Sequence, residues 1–228
     1  MHFTTPPDNP WHRLPSQPQY ILPEDEAAVL AFNKRVRADH RYDLSLLPEP
    51  FSGSPSAPVL LLLLNPGLSP EDIAIHRDPN FVELSRQSLN HQLQPDPFLH
   101  LQPNLNTPGA KWWRRIAKPL IQAVGDEQKV ARSIFCVQYF PYHSKAFHSA
   151  GLPVSSQNYS FHLVRSALAR NALVVVMRSW RLWSNAIPEL LDHHQRCYRI
   201  KNPRNPTLSP NNIPNGFNSI LRRIQTGA

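Results

Sequence analysis

The chain contains an apolar run, Val59 to Leu64, that leads directly into Asn65-Pro66-Gly67. Six consecutive apolar residues are typical of a strand covered on both faces, as in a parallel sheet. The Asn-Pro-Gly sequence that follows predicts a tight turn. Open parallel sheets bind ligands beyond the carboxyl ends of their strands. Asn65, the first polar residue after the strand, is therefore expected at a ligand-binding edge.

Alternating strands and helices follow this run. Further strands are predicted at Ser133–Tyr139, Leu173–Met177 and Gln195–Ile200, with helices at Lys111–Val124, Gln157–Arg170, Arg181–Leu191 and about Ile213–Ile224. Such alternation indicates parallel pairing with right-handed crossovers. The expected fold is α/β, a three-layer α/β/α sandwich around a central, mostly parallel four-stranded sheet.

The residues before the first predicted strand are expected to form an extension of this domain. Glu24 to His40 has helical spacing, and Pro48 to Pro58 has the Pro, Ser and Gly content of a linker. We expect residues 1–58 to pack on an α/β domain formed by residues 59–228. A short helix is predicted after the Asn-Pro-Gly turn, up to about Asn90, and prolines make residues 94–109 irregular.

Charge is unevenly distributed along the chain. The net charge is +8, and residues 130–228 hold twelve Lys or Arg against two acidic residues. Arginine predominates, and its planar guanidinium pairs bidentately with phosphate. A basic half of this kind favours an anionic polymer, and we expect DNA as the partner.

Several classes of site are not expected. The two cysteines, Cys136 and Cys197, lie in predicted strands, which favours reduced thiols and a cytoplasmic protein. Paired Cys/His spacing is missing, so we expect no metal, and phosphate-binding glycine loops are missing, so we expect no cofactor. The apolar runs are too short for a membrane span, and Met1 to Tyr20 is polar and proline-rich, unlike a signal peptide. We expect a monomer without a membrane partner.

Four short motifs occur in order at the ends of predicted elements. They are Asn65-Pro66-Gly67, Gly109-Ala110-Lys111-Trp112-Trp113, Val137-Gln138-Tyr139-Phe140-Pro141 and Asn202-Pro203-Arg204-Asn205-Pro206. Together they resemble the uracil-DNA glycosylase superfamily, nearest its single-strand-selective monofunctional branch, over Val59 to Arg223. The resemblance implies a DNA glycosylase that flips out a damaged or modified pyrimidine and hydrolyses its N-glycosidic bond, leaving an abasic site. DNA repair and defence against modified foreign DNA are both compatible roles.

Two positions depart from the family pattern. Ile200 stands where the family has a catalytic His in its last loop, so the donor to the leaving base is expected to be Asn202, with Asn205 second. Gln138 stands where relatives read uracil with Asn, and its extra methylene extends about 1.5 Å further. Plain uracil is therefore not the expected substrate. A non-catalytic nucleic-acid-binding protein on the same fold is the alternative.

Glycosidic cleavage passes through an oxocarbenium-like sugar while negative charge builds on the base. No acidic residue occurs between Gln128 and Pro188, so we expect positioning of a water by Asn65 rather than strong general-base catalysis. An Asx turn, in which Asn65 bonds only its own backbone, is the structural alternative.

The remaining roles follow from position. Pro66 and Gly67 are expected to line the base pocket, and Phe81 either stacks on the base or packs in the core. Arg204 is the expected wedge into the base stack, with Lys201 and Lys145 contacting phosphate. Trp112 and Trp113 are expected to place one ring in the core and one at the surface. His143 and His148, which flank Lys145, are expected in a solvated loop, with contact to a base or phosphate as the alternative.

Overall fold

The computed structural model describes residues 7–148 and 153–227, which fold around one mixed sheet. Its strands are β1 (Phe51–Gly53), β2 (Val59–Leu62), β3 (Ile134–Val137), β4 (Leu173–Val176) and β5 (Cys197–Arg199), in the order β1-β3-β2-β4-β5. The four predicted strands run parallel to one another, and β1 pairs antiparallel with β3. The expectation of a mostly parallel α/β sheet is confirmed.

The expected count of four strands is wrong, because β1 adds a fifth. It lies inside the segment that was predicted to be a linker. Ser52 pairs with Cys136, and Gly53 with Phe135. Three residues are too few for an alternating pattern to appear in the sequence. Gly53 has a φ of +102°, and a Cβ there would lie 2.4 Å from the carbonyl oxygen of Ile134, so the strand end requires glycine.

Helices cover both faces of the sheet. They are α1 (Pro23–Arg35), α2 (Pro70–Ile75), α3 (Pro79–Leu89), α4 (Pro108–Val124), α5 (Glu127–Ser133), α6 (Gln157–Ala169), α7 (Trp180–Ala186), α8 (Glu189–Asp192) and α9 (Phe217–Thr226). Single helices had been predicted over the α2–α3 and α7–α8 regions, and α5 was not predicted. In the first region Asp78 accepts from the backbone N–H of Asn80 and starts a new helix, with Pro79 at its first position.

The apolar run of β2 is buried on both sides, as predicted. Leu60 and Leu62 pack into a cluster with residues of α1 and α6, whereas Val59 and Leu61 pack into a second cluster with residues of α4, α5 and α9. Successive side chains of a strand point to opposite faces, so a strand between two helical layers must be apolar throughout. Within the described parts of the chain, no helix is both long and apolar enough to cross a bilayer.

Candidate functional site

A cavity of about 540 Å³ opens at the carboxyl ends of β3, β2 and β4. Each of these neighbouring strands supplies a polar side chain to its wall: Gln138 after β3, Asn65 after β2 and Arg178 after β4. Its volume lies within the range of about 300–1,000 Å³ that small-molecule sites occupy. The structure thus brings Asn65 and Gln138 together at the predicted edge, and adds Arg178, which was not predicted.

The amide of Asn65 is held in one orientation. Its Nδ2 donates to the carbonyl oxygen of Pro66 and to Oγ of Ser144, each over 2.9 Å, and Ser144 in turn donates to the carbonyl of Ala146 over 3.3 Å. Both amide protons are therefore used. Oδ1 receives no hydrogen bond from the described residues, so it is free to accept one from a water or a ligand in the cavity.

Gln138 and Arg178 each carry a buried polar atom with no described protein partner. The backbone N–H of Gln138 donates to the carbonyl of Pro50 over 2.8 Å, which fixes the main chain, while its side-chain Oε1 is buried and unpaired. Nε of Arg178 is likewise buried and unpaired, and burial lowers the pKa of this guanidinium. Unpaired buried polar atoms are costly, so these two favour a polar ligand in the cavity.

Aromatic side chains form another part of the cavity wall. Trp113 is buried and Trp112 half-buried, with ring centroids 5.1 Å apart in an edge-to-face arrangement, so one ring is in the core and the other is accessible, as predicted. Phe81 is instead only 3% exposed; it packs with Leu93 and Leu99 and does not line the cavity. Of its two predicted roles, the structure supports core packing.

A partly buried carboxylate at the cavity, that of Glu49, has histidines on two sides. Glu49 Oε2 lies 2.8 Å from Nε2 of His100, and Oε1 lies 3.8 Å from Nε2 of His143. Burial alone would raise the pKa of Glu49, but the charge and hydrogen bond of His100, with the charges of His143 and His76, outweigh it and lower the pKa to about 2. For His100, burial lowers the pKa, and the Glu49 charge outweighs that effect and raises it.

His100 fits beside Glu49 because residue 109 has no side chain. A Cβ at Gly109 would lie 2.5 Å from the His100 ring. Gly109 is the second residue of α4, which begins with Thr107 accepting from the N–H of Ala110 over 3.1 Å. The glycine of the Gly-Ala-Lys-Trp-Trp motif therefore admits an imidazole into the site.

The location expected for His143 is wrong. It is 3% exposed rather than solvated, and its Nδ1 lies 2.6 Å from the carbonyl oxygen of Gly67. The sequence suggested a solvated loop because His143 follows the predicted strand Ser133–Tyr139. Two main-chain carbonyls, those of Gly67 and Leu47, instead provide polar contacts that allow the ring to be buried.

The loop predicted to supply the catalytic donor turns back on itself. Asn202 Oδ1 accepts from the backbone N–H groups of Arg204 and Asn205, over 3.1 and 3.3 Å, and the buried Asn212 donates to the carbonyl of Asn205 over 2.9 Å. Neither Asn202 nor Asn205 lines the cavity. The structure therefore does not bring the two predicted donors to Asn65.

The residues assigned to DNA contact lie on the surface. Lys201 and Arg204 are exposed in the same loop. Lys145 lines the cavity and is exposed, and its Nζ forms an ion pair with Asp39 over 3.1 Å. Pro66 and Gly67 line the cavity, as predicted for residues beside Asn65.

Sequence reasoning missed several residues of the site, among them Glu49, His100 and Arg178. Glu49 lies in the segment read as a linker, His100 in the irregular proline-rich stretch, and Arg178 at the end of a strand. Of these, only Arg178 could have been predicted from the sequence, because it follows β4 as Asn65 follows β2. The interval from Gln128 to Pro188 contains no acidic residue, and Glu49 reaches the cavity from a distant part of the chain.

Comparison with protein-family models, with curated proteins and with solved structures finds no match to this chain.

Proposed function

We propose that this protein is a monofunctional DNA glycosylase that hydrolyses the N-glycosidic bond of a modified pyrimidine and leaves an abasic site. One observation carries the proposal: Asn65 and Gln138 follow adjacent parallel strands and line the same cavity. The chemistry of glycosidic cleavage assigns water positioning to Asn65, and the sequence resemblance assigns base reading to Gln138.

The hydrogen bonds of Asn65 support its assigned role. With both amide protons given to Pro66 and Ser144, only Oδ1 can contact a water in the cavity, and it does so as an acceptor. A water that donates to Oδ1 can direct a lone pair at the sugar carbon from which the base departs. Because the sugar develops oxocarbenium character, positioning of a weak nucleophile can suffice.

Gln138 supports recognition of a base. Its buried, unpaired Oε1 accepts a hydrogen bond from a ring N–H or an exocyclic amino group of a flipped base. A base without a matching donor would leave this oxygen unpaired, which gives strong discrimination. Trp112 offers a half-buried ring in the wall for stacking, the role for which Phe81 is too deeply buried.

In this proposal Arg178, rather than Asn202 or Asn205, stabilises the leaving base. Its guanidinium lines the cavity with an unpaired Nε, and a positive donor there offsets the negative charge that develops on a base oxygen. The exposed Arg204 and Lys201 are retained as contacts to the DNA strand. The basic C-terminal half, with a net charge of +10 over residues 130–228, supports a polyanionic partner.

The test is release of free base under single-turnover conditions. The protein is incubated with natural DNAs that carry different pyrimidine modifications, and released bases are identified by mass spectrometry. Asn65→Ala should lower the rate by at least about a hundredfold while DNA affinity changes little. Asn158→Ala, an exposed asparagine on α6, is the matched control. DNA binding without release of any base would favour the non-catalytic alternative.

A further inference from the structure

We propose that Glu49, His76 and His143 form a binding site for a divalent transition-metal ion such as Zn²⁺. One carboxylate oxygen and one ring nitrogen from each histidine lie within 4.8 Å of one another. Two histidines and one glutamate are a known ligand set for zinc, with metal–ligand distances of about 2.0–2.2 Å. Ligand atoms on one ion are at most about 4 Å apart at such distances. Small side-chain movements would therefore bring the three ligand atoms within bonding distance of a single ion.

His76 gives the first argument for an ion. Its Nδ1 lies 2.8 Å from the carbonyl oxygen of Asp72, and because a carbonyl oxygen only accepts, Nδ1 carries the proton. Nε2 then holds a lone pair, and among the described residues it has no partner. His76 is only 8% exposed, so bulk water does not satisfy this lone pair. A metal ion beside Nε2 would satisfy it.

His143 is oriented in the same way. Its Nδ1 lies 2.6 Å from the carbonyl oxygen of Gly67, whereas Nε2 faces the carbonyl oxygen of Leu47 at 3.1 Å and Glu49 Oε1 at 3.8 Å. A lone pair on Nε2 would be repelled by these oxygens, so either a proton or a cation must lie between them. Histidines that bind metals typically donate their other N–H to a main-chain carbonyl or a carboxylate, as both rings can here.

Glu49 supplies the negative charge. Its other carboxylate oxygen is 2.8 Å from Nε2 of His100, a contact that orients the carboxylate as outer contacts do in metal sites. Glu49 and His143 also line the cavity. A water or ligand from the cavity can therefore complete four-coordination. The competing explanation is a buried ion cluster that holds the turn after β2 without any metal.

Zinc titration distinguishes the two explanations. The full chain is stripped with a chelator, dialysed and titrated with zinc chloride by calorimetry. We expect one zinc per chain, and at least about tenfold weaker binding in His76→Gln, since even outer-contact substitutions cost about 10–100-fold. His194→Gln, at an exposed histidine, should bind as the unaltered protein does. No zinc binding, or equal binding by both variants and the unaltered protein, would overturn the proposal.

X-ray absorption on the zinc-loaded, unaltered protein avoids the risk that His76→Gln does not fold. The expected first shell contains two imidazole nitrogens and at least one oxygen at about 2.0–2.2 Å. A shell without imidazole scattering would overturn the proposal. Neither measurement depends on base release, so the metal site and the proposed glycosylase can fail separately.

Discussion

Asn65 and Ser144, 79 residues apart in the chain, are joined by a hydrogen bond of 2.9 Å from Nδ2 to Oγ. Ser144 Oγ in turn donates a hydrogen bond to the carbonyl oxygen of Ala146. This short chain of hydrogen bonds decides which end of the Asn65 amide faces the cavity. The serine is therefore a positioning residue for the proposed catalytic asparagine.

Ser144→Ala should lower the rate of base release about two- to tenfold, because loss of one orienting hydrogen bond is worth about 0.5–1.5 kcal/mol. The effect should be smaller than that of Asn65→Ala, since the bond to Pro66 remains. Single-turnover kinetics measure it, with Ser184→Ala on α7 as the control. An undiminished rate would mean that the bond to Pro66 alone holds the amide.

Gln138→Asn should shift activity toward plain uracil. The shorter amide withdraws from the cavity by about 1.5 Å, which restores the side chain that the family resemblance associates with uracil. The ratio of single-turnover rates on uracil-containing and modified-pyrimidine DNA measures the shift. Efficient uracil excision by the unaltered protein, together with inactivity on modified pyrimidines, would contradict this prediction.

Arg178→Gln should lower base release about a hundredfold, the scale for removing one donor to a developing negative charge. Asn202→Ala should have little effect, because Asn202 is outside the cavity. Arg181→Gln, at an exposed arginine on α7, controls for the loss of positive charge. The opposite pattern, with a large effect only at Asn202, would return the donor role to the last loop.

DNA affinity should fall steeply with salt, by at least about tenfold between 50 and 200 mM, because each neutralised phosphate releases counterions. Lys201→Ala and Arg204→Ala should each reduce the slope of log K against log salt by about 1. Lys34→Ala, on α1 in the other half of the chain, should leave the slope unchanged. Fluorescence anisotropy at several salt concentrations measures these slopes.

Stability should fall as the pH drops from about 6.5 to 4, partly because of His91. Burial, with a smaller contribution from His12, lowers the pKa of His91 from 6.5 to about 4. The unfolded chain therefore binds more protons than the folded chain in this interval, and folding becomes less favourable as pH falls. The full shift corresponds to at most about 3 kcal/mol.

His91→Asn removes this titration and suits the positive φ of 56° at the position. Urea unfolding at pH 7 and pH 4.5 gives the free energy of unfolding at each pH. Its decrease between pH 7 and pH 4.5 should be smaller in His91→Asn than in the unaltered protein. His194→Asn should behave like the unaltered protein. An equal decrease in the free energy of unfolding in all three proteins would exclude His91 as a source of the pH dependence.

Sequence patterns predicted the parts of the fold that depend on local periodicity. The run at Val59 to Leu64 identified a strand covered on both faces, and the turn after it identified the edge at which the cavity lies. Strand β1 escaped prediction because three residues carry no readable alternation, and its pairing with β3 is made across more than 80 residues of chain.

The site was harder to predict than the sheet. Glu49 and His100 are 51 residues apart and lie in segments without regular patterning, so nothing local indicates that they meet. Asn202 looked like a donor because of its motif. The orientation of its side chain is instead fixed by the backbone N–H groups of Arg204 and Asn205, which donate to its Oδ1. Residue type does not reveal whether an asparagine bonds its own backbone or a ligand.

The contact between His100 and Gly109 links two positions that have to change together. A methyl group at residue 109 would collide with the imidazole, whereas a smaller residue at 100 would leave space beside the first turn of α4. Chains that share this fold should therefore have glycine at 109 whenever an aromatic ring stands at 100. A larger residue at 109 is expected only where the residue at 100 is small. Paired variation at these two positions would identify relatives that retain the contact between Glu49 and His100.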